Sequence, residues 1–81
     1  MKKDRFKIKL DNHKKIHKFC GICQKFDCNI DVVQGKCEID AKSLMGLFVL
    51  NINEPVSIHA ITNNDRELQL FSEAIKDFII Q

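Results

Sequence analysis

Apolar and polar residues alternate in four segments of the chain, the spacing that puts every second side chain of a β-strand on one face. Pro55 opens the fourth segment, at a position that need not donate a ladder hydrogen bond. The residues predicted to face inward are Phe6, Ile8 and Leu10; Ile30 and Val32; Cys37, Ile39 and Ala41; and Val56, Ile58 and Ala60. A turn at Gln34-Gly35 separates the second strand from the third, so these two are expected to form a hairpin.

In two further segments the apolar residues recur every three or four positions, which predicts amphipathic helices. Asn12 is a candidate N-cap for the first, and Asn64 with Glu67 resembles a capping box for the last. The last helix is predicted to run nearly to Gln81. The two stripes are Ile16, Phe19, Cys20, Cys23 and Phe26, and Leu68, Phe71, Ile75 and Phe78.

A short helix is predicted between the third and fourth strands, with Ser43 as its N-cap. Its apolar residues Leu44, Met45 and Phe48 are too dense to be buried together on one side of a single turn. Some of them are therefore expected to face water. An exposed apolar cluster on a small domain typically marks a docking surface.

The element order is thus β-α-β-β-α-β-α in a chain of 81 residues, short enough to form one domain over 1–81. The natural arrangement is an α+β domain, with one four-stranded antiparallel sheet and its helices on a single face. A net charge of +2 is too small to indicate nucleic acid. We find neither a secretion signal nor an apolar run that could cross a membrane, so we expect a cytoplasmic protein with reduced cysteines.

The four cysteines could in principle supply zinc thiolates, through Cys20-x-x-Cys23 with Cys28 and Cys37. His13 and His17, four residues apart on one helix face, raise the same question more weakly. Cys20 and Cys23 lie on the apolar stripe, however, and Cys37 is in phase with inward-facing residues. Free cysteine is often buried, so we expect core packing and predict no metal and no cofactor.

The element order, together with Lys42-Ser43-Leu44-Met45-Gly46, resembles HPr, the histidine phosphocarrier family of the bacterial sugar phosphotransferase system. The resemblance runs from Phe6 to Ile79 and implies an open-faced β-sandwich. In that family the phosphoacceptor histidine is the N-cap of the first long helix, within Gly-Ile/Leu-His-x-Arg-Pro-Ala. Backbone N–H groups at the helix start stabilise the phosphoryl group, and the arginine binds its oxygens.

Here the motif falls on residues 10–16. Asn12 stands at the histidine position, Lys14 at the arginine position and Lys15 at the proline position. Asn12 is a good cap with no nucleophilic chemistry. His13 lies one residue late and is a candidate phosphoacceptor if its ring swings over the helix start. The resemblance also implies that Ser43 matches the serine phosphorylated by the regulatory kinase of Gram-positive HPr proteins.

Lys14, Lys15 and Lys18 oppose the helix dipole, which indicates either a solvated face or contact with an acidic partner or a phosphate. We therefore predict a non-enzymatic, HPr-like regulatory module that has lost its acceptor histidine. The alternatives are a phosphocarrier that uses His13 and a small thiol or zinc protein. The implied partners are proteins such as enzyme I or an HPr kinase, with no nucleic acid or membrane. The predicted partner-binding residues are Asn12, Lys14, Lys15, Lys18, Leu44, Met45 and Phe48.

Overall fold

The structure, a computed structural model, describes residues 2–80 and the side chains of residues 5–80. It confirms the predicted order of elements up to the last helix. The elements are β1 (Lys2–Ile8), α1 (His13–Cys23), β2 (Asn29–Gln34), β3 (Cys37–Asp40), α2 (Leu44–Leu47), β4 (Val56–Thr62), α3 (Asp65–Ala74) and a 3₁₀ turn (Lys76–Phe78).

The four strands form one antiparallel sheet, as predicted, and their order in it is β1-β4-β2-β3. Alternate residues of the inner strands are fully buried, among them Val32 and Ile58, which are paired across β2 and β4. The buried side chains of α1, α2 and α3 join them in one apolar core, which therefore lies on the helix-covered side of the sheet. None of the helices in the described range is long and apolar enough to cross a membrane.

The β2–β3 hairpin turns through Gly35 and Lys36, since Gln34 pairs with Cys37. Gly35 has a φ of 60° and no other described residue has a positive φ, the pattern of a type II′ turn. The prediction that Cys37 faces the core is wrong, because this side chain is exposed. β3 is an edge strand, and α2 covers it at Ile39, two residues from the turn.

The last helix is shorter than predicted. α3 ends at Ala74, and the chain then passes along the outer edge of β1. The Ile80 N–H donates to the Lys7 carbonyl at 2.9 Å, and the Lys9 N–H donates to the Phe78 carbonyl at 3.3 Å. Phe78 keeps the apolar spacing of a helix because its side chain is buried in the core. It reaches the core from a 3₁₀ turn, however, and not from α3.

The first helix also ends sooner than its apolar stripe. α1 stops at Cys23, and Phe26 follows in the connection to β2. Phe26 is half-buried and meets the Phe71 ring edge to face, with 5.3 Å between the ring centroids. The stripe therefore gives the correct burial for Phe26 but the wrong secondary structure.

Gly46 sets how closely α2 approaches the sheet. A Cβ at this position would lie 2.8 Å from the Ile39 side chain and 3.2 Å from the Ser43 hydroxyl oxygen. We expect Gly46→Ala to lower the free energy of unfolding by about 1–3 kcal/mol, measured by urea denaturation. Gly21→Ala is the matched control, since its Cβ would meet nothing within 4 Å in the middle of α1. That variant should gain about 0.5–1 kcal/mol, and equal stability of the two variants would contradict the close packing at Gly46.

Candidate functional site

Asn12 is the N-cap of α1, the position that the motif assigns to the phosphoacceptor. Its backbone is extended, and its Oδ1 accepts a hydrogen bond from the Lys15 N–H at 2.9 Å. The Asn12 carbonyl accepts from the Ile16 N–H at 3.2 Å, which begins the helical ladder. The Asn12 side chain therefore accepts a hydrogen bond from a backbone N–H at the start of α1, and its amide nitrogen is not a nucleophile.

His13 is the first residue of α1 and is exposed, but its ring is turned towards α2. The ring meets Phe48 edge to face, with centroids 5.3 Å apart and an interplanar angle of 76°. His17, one turn later, meets the same ring at 5.7 Å and 66°. In this conformation the His13 ring is engaged in an aromatic contact with the other helix.

α2 runs in the opposite direction to α1. At the end of α1, the Gln24 side-chain amide donates to the Lys42 carbonyl at 3.1 Å, whereas Phe48 lies against the first turns of α1. Ser43 is exposed and caps α2, with its Oγ accepting from the Gly46 N–H at 3.3 Å. The apolar end of α2 is thus the part next to the start of α1, and Ser43 is at the far end.

Three apolar side chains on or directly after α2 face water. They are Met45, Phe48 and Val49, and we call them the α2 ridge. Their exposed fractions are 85%, 44% and 70%. Leu44, which the sequence grouped with them, is half-buried against the core, and Leu47 supplies the buried contact of α2. Sequence reasoning missed Val49, although it continues the same apolar run directly after Phe48.

The lysines at the start of α1 are not equivalent. Lys15 forms an ion pair with Asp11 at 3.0 Å, and this hydrogen bond lowers the pKa of the Asp11 carboxyl. Lys14 and Lys18 are also exposed, and no carboxylate of the described residues pairs with either. They follow His13 and His17 by one residue each, opposite the buried face that contains Phe19. Of these three lysines, Lys14 and Lys18 are therefore the ones available to a partner.

The cysteines do not form a metal site in the part of the chain that the structure describes. Cys20, Cys23 and Cys28 are buried in the core, and Cys37 is exposed on β3. Burial raises the pKa of all three buried thiols, that of Cys23 to about 12. Among residues 5–80 no group of three or more His, Cys, Asp or Glu side chains is arranged to hold a metal ion.

The buried thiols make the protein less stable in alkali. The pKa of Cys23 rises from 9.0 to about 12 on folding, so above pH 9 the unfolded thiol loses a proton that the folded one keeps. Below pH 9 the contribution of Cys23 to the free energy of unfolding does not change with pH. Between pH 9 and pH 12 we expect the free energy of unfolding to fall by up to about 1.4 kcal/mol per pH unit. Urea denaturation at about pH 8 and about pH 10 measures the slope, which Cys23→Ala should reduce. An equal slope in the parent and in Cys23→Ala would contradict this assignment.

The fold is that of the HPr-like open-faced β-sandwiches. Its features are a four-stranded antiparallel sheet, helices on one face, and a helix N-cap beside a short exposed helix. Residues 7–81 match the family model PTS-HPr, described as "PTS HPr component phosphorylation site". The chain therefore belongs to the HPr family of the phosphotransferase system, which the sequence resemblance predicted. Among curated proteins, none matches this sequence.

Solved structures of HPr proteins have the same fold. HPr-C-His from Thermoanaerobacter tengcongensis is 22% identical, with a TM-score of 0.71 over 95% of this chain and 93% of that one. The histidine-containing phosphocarrier of a mycoplasma is 18% identical, with a TM-score of 0.71 over 99% and 100%. Crh of Bacillus subtilis, a protein of catabolite repression, is 19% identical, with a TM-score of 0.59 over 93% and 88%.

Proposed function

We propose that this protein is a regulatory docking module of the phosphotransferase system that binds protein partners without carrying a phosphoryl group on a histidine. HPr family proteins are phosphocarriers, not enzymes themselves, and they interact with components such as enzyme I. The observation that carries the proposal is the N-cap of α1, where Asn12 occupies the acceptor position and uses its side chain to bind the Lys15 N–H. A family member with this cap keeps the fold and lacks the nucleophile. It acts, as HPr family proteins do, in the cytoplasm.

The partner surface consists of the α2 ridge together with Lys14 and Lys18. The ridge gives an apolar centre of the kind that is buried at protein interfaces, and the lysines give a basic rim. Because Phe48 contacts both His13 and His17, the ridge is continuous with the first turns of α1. This surface suits an acidic partner with an apolar pocket at its centre. Asn12 and Lys15 are at its margin, where Lys15 is already paired.

Ser43 is the proposed site of regulatory phosphorylation by an HPr kinase. Its hydroxyl is exposed, and it lies two residues from Met45 at the start of α2. A phosphoryl group there adds between one and two negative charges to the edge of an otherwise apolar and basic surface. Modification of Ser43 would therefore change which partners the docking surface accepts.

One observation favours a second candidate, a phosphocarrier that uses His13. The imidazole is exposed, belongs to the first residue of α1, and has Lys14 as its neighbour in the chain. Turning the ring away from Phe48 would bring it towards the helix start, where N–H groups attract phosphate. The two functions differ in one outcome, which is whether His13 becomes phosphorylated.

Binding tests the proposal directly. We expect the 81-residue chain, titrated calorimetrically into enzyme I or an HPr kinase without phosphoenolpyruvate, to bind at least one of them with saturation. Binding should weaken as salt screens the attraction of Lys14 and Lys18. Failure to bind either protein at concentrations of about 1 mM, beside an HPr control that binds, would contradict the proposal.

A further inference from the structure

His13 and His17 are held on the same side of α1. They are one turn apart, both are exposed, and both rings contact the single ring of Phe48, with centroid distances of 5.3 and 5.7 Å. Side chains four residues apart are neighbours on a helix surface. The shared contact with Phe48 also shows that the two side chains project from α1 in the same direction.

Two imidazoles at this spacing have the chemistry of a metal chelate. Neutral imidazole is a ligand for zinc, copper and nickel, and a His pair at i and i+4 on a helix can bind one ion between its rings. The sequence alone predicts no metal, but from the shared contact of both rings with Phe48 we propose that His13 and His17 bind one divalent transition-metal ion on the exposed side of α1. Residues 5–80 contain no group of three or more ligating side chains, so water completes the coordination shell. The bound ion therefore exchanges, unlike a structural zinc ion with four protein ligands.

The surroundings restrict which ions are accepted. Lys14 and Lys18 lie next to the histidines in the chain, and the start of α1 carries the positive end of the helix dipole. These charges oppose any cation, so binding depends on the strength of the nitrogen–metal bond. Copper, nickel and zinc form strong bonds to imidazole, whereas magnesium and calcium prefer oxygen ligands. We expect the former group to bind and the latter group to be rejected.

Exchange of His17 with Lys18 provides a matched variant. The double substitution His17→Lys with Lys18→His keeps composition and net charge but places the imidazoles five residues apart. The exposed Cys37 is replaced by serine in every sample, because its thiol is an alternative ligand for zinc and copper. Circular dichroism before metal addition establishes that parent and variant are equally folded.

The test is a calorimetric titration of the full chain with nickel sulfate or zinc sulfate alone. The proposal predicts one ion per chain for the parent and an affinity about tenfold lower, or more, for the exchanged variant and for His17→Ala. Amide NMR shifts on nickel addition should centre on His13, His17 and Phe48. Equal affinity of parent and exchanged variant would overturn the proposal, because the imidazoles would then act singly. Shifts centred on His59 would overturn it as well.

Discussion

Met45→Asp is expected to weaken binding to the proposed phosphotransferase-system partner by about 2 kcal/mol, roughly 30-fold or more in the dissociation constant. Met45 has 85% of its surface exposed, so it contributes little to the fold and much to the α2 ridge. An aspartate there must lose its hydration when the partner covers the ridge. The measurement is a calorimetric titration into enzyme I or the HPr kinase, whichever binds the parent.

Leu70→Asp is the matched control for this prediction. Leu70 is another exposed apolar residue, with 47% of its surface accessible, and it lies on α3 outside the proposed surface. The same change of chemistry there should leave binding unaltered, although it lowers stability slightly because aspartate is a poorer helix former than leucine. If Met45→Asp and Leu70→Asp reduced binding equally, or if neither did, the α2 ridge would not be the docking site.

Asn12→His is expected to introduce a phosphoacceptor that enzyme I labels. The N-cap side chain already lies within hydrogen-bonding distance of the Lys15 N–H, so an imidazole there would stand beside the free amides of the helix start. Those amides and the exposed Lys14 favour a phosphoryl group on the ring. Intact mass after incubation with phosphoenolpyruvate and enzyme I should rise by about 80 Da, one phosphoryl group.

This experiment is done in a His13→Ala background, which excludes His13 as the labelled residue. Lys14→Arg should increase the rate of labelling, since a guanidinium binds phosphoryl oxygens in pairs and an ammonium does not. If Asn12→His with Lys14→Arg binds enzyme I and stays unlabelled, the loss of the acceptor is not what separates this protein from a phosphocarrier.

Local rules predicted much of the fold from the sequence. The N-caps Asn12, Ser43 and Asn64 all accept the hydrogen bond that their side-chain chemistry favours. The apolar spacing of α1 predicted burial of Ile16 and Phe19, because a helix with a 3.6-residue period turns these to one side. Crowding on a single helical turn predicted that some of Leu44, Met45 and Phe48 would face water, and Met45 and Phe48 do so.

Features that depend on distant parts of the chain could not be predicted in this way. Cys37 is exposed because β3 is an edge strand that α2 covers at Ile39 and not at Cys37. The alternation of apolar and polar residues does not show which part of a strand a helix covers. Likewise, the chain after Ala74 leaves the helix, and Phe78 and Ile80 form backbone hydrogen bonds with the segment of β1 and Lys9 instead. The contact of Phe48 with His13 and His17 depends on the antiparallel placement of α1 and α2. Each of these is decided by tertiary packing.

Intact mass spectrometry decides whether this HPr family member lacks a working phosphoacceptor, as we claim. The 81-residue chain is incubated with phosphoenolpyruvate and enzyme I, beside an HPr control that gains one phosphoryl group, and is kept at neutral or alkaline pH to preserve phosphohistidine. We predict an unchanged mass for this protein. A gain of about 80 Da that maps to His13, and disappears in His13→Ala, would contradict the claim and identify a phosphocarrier.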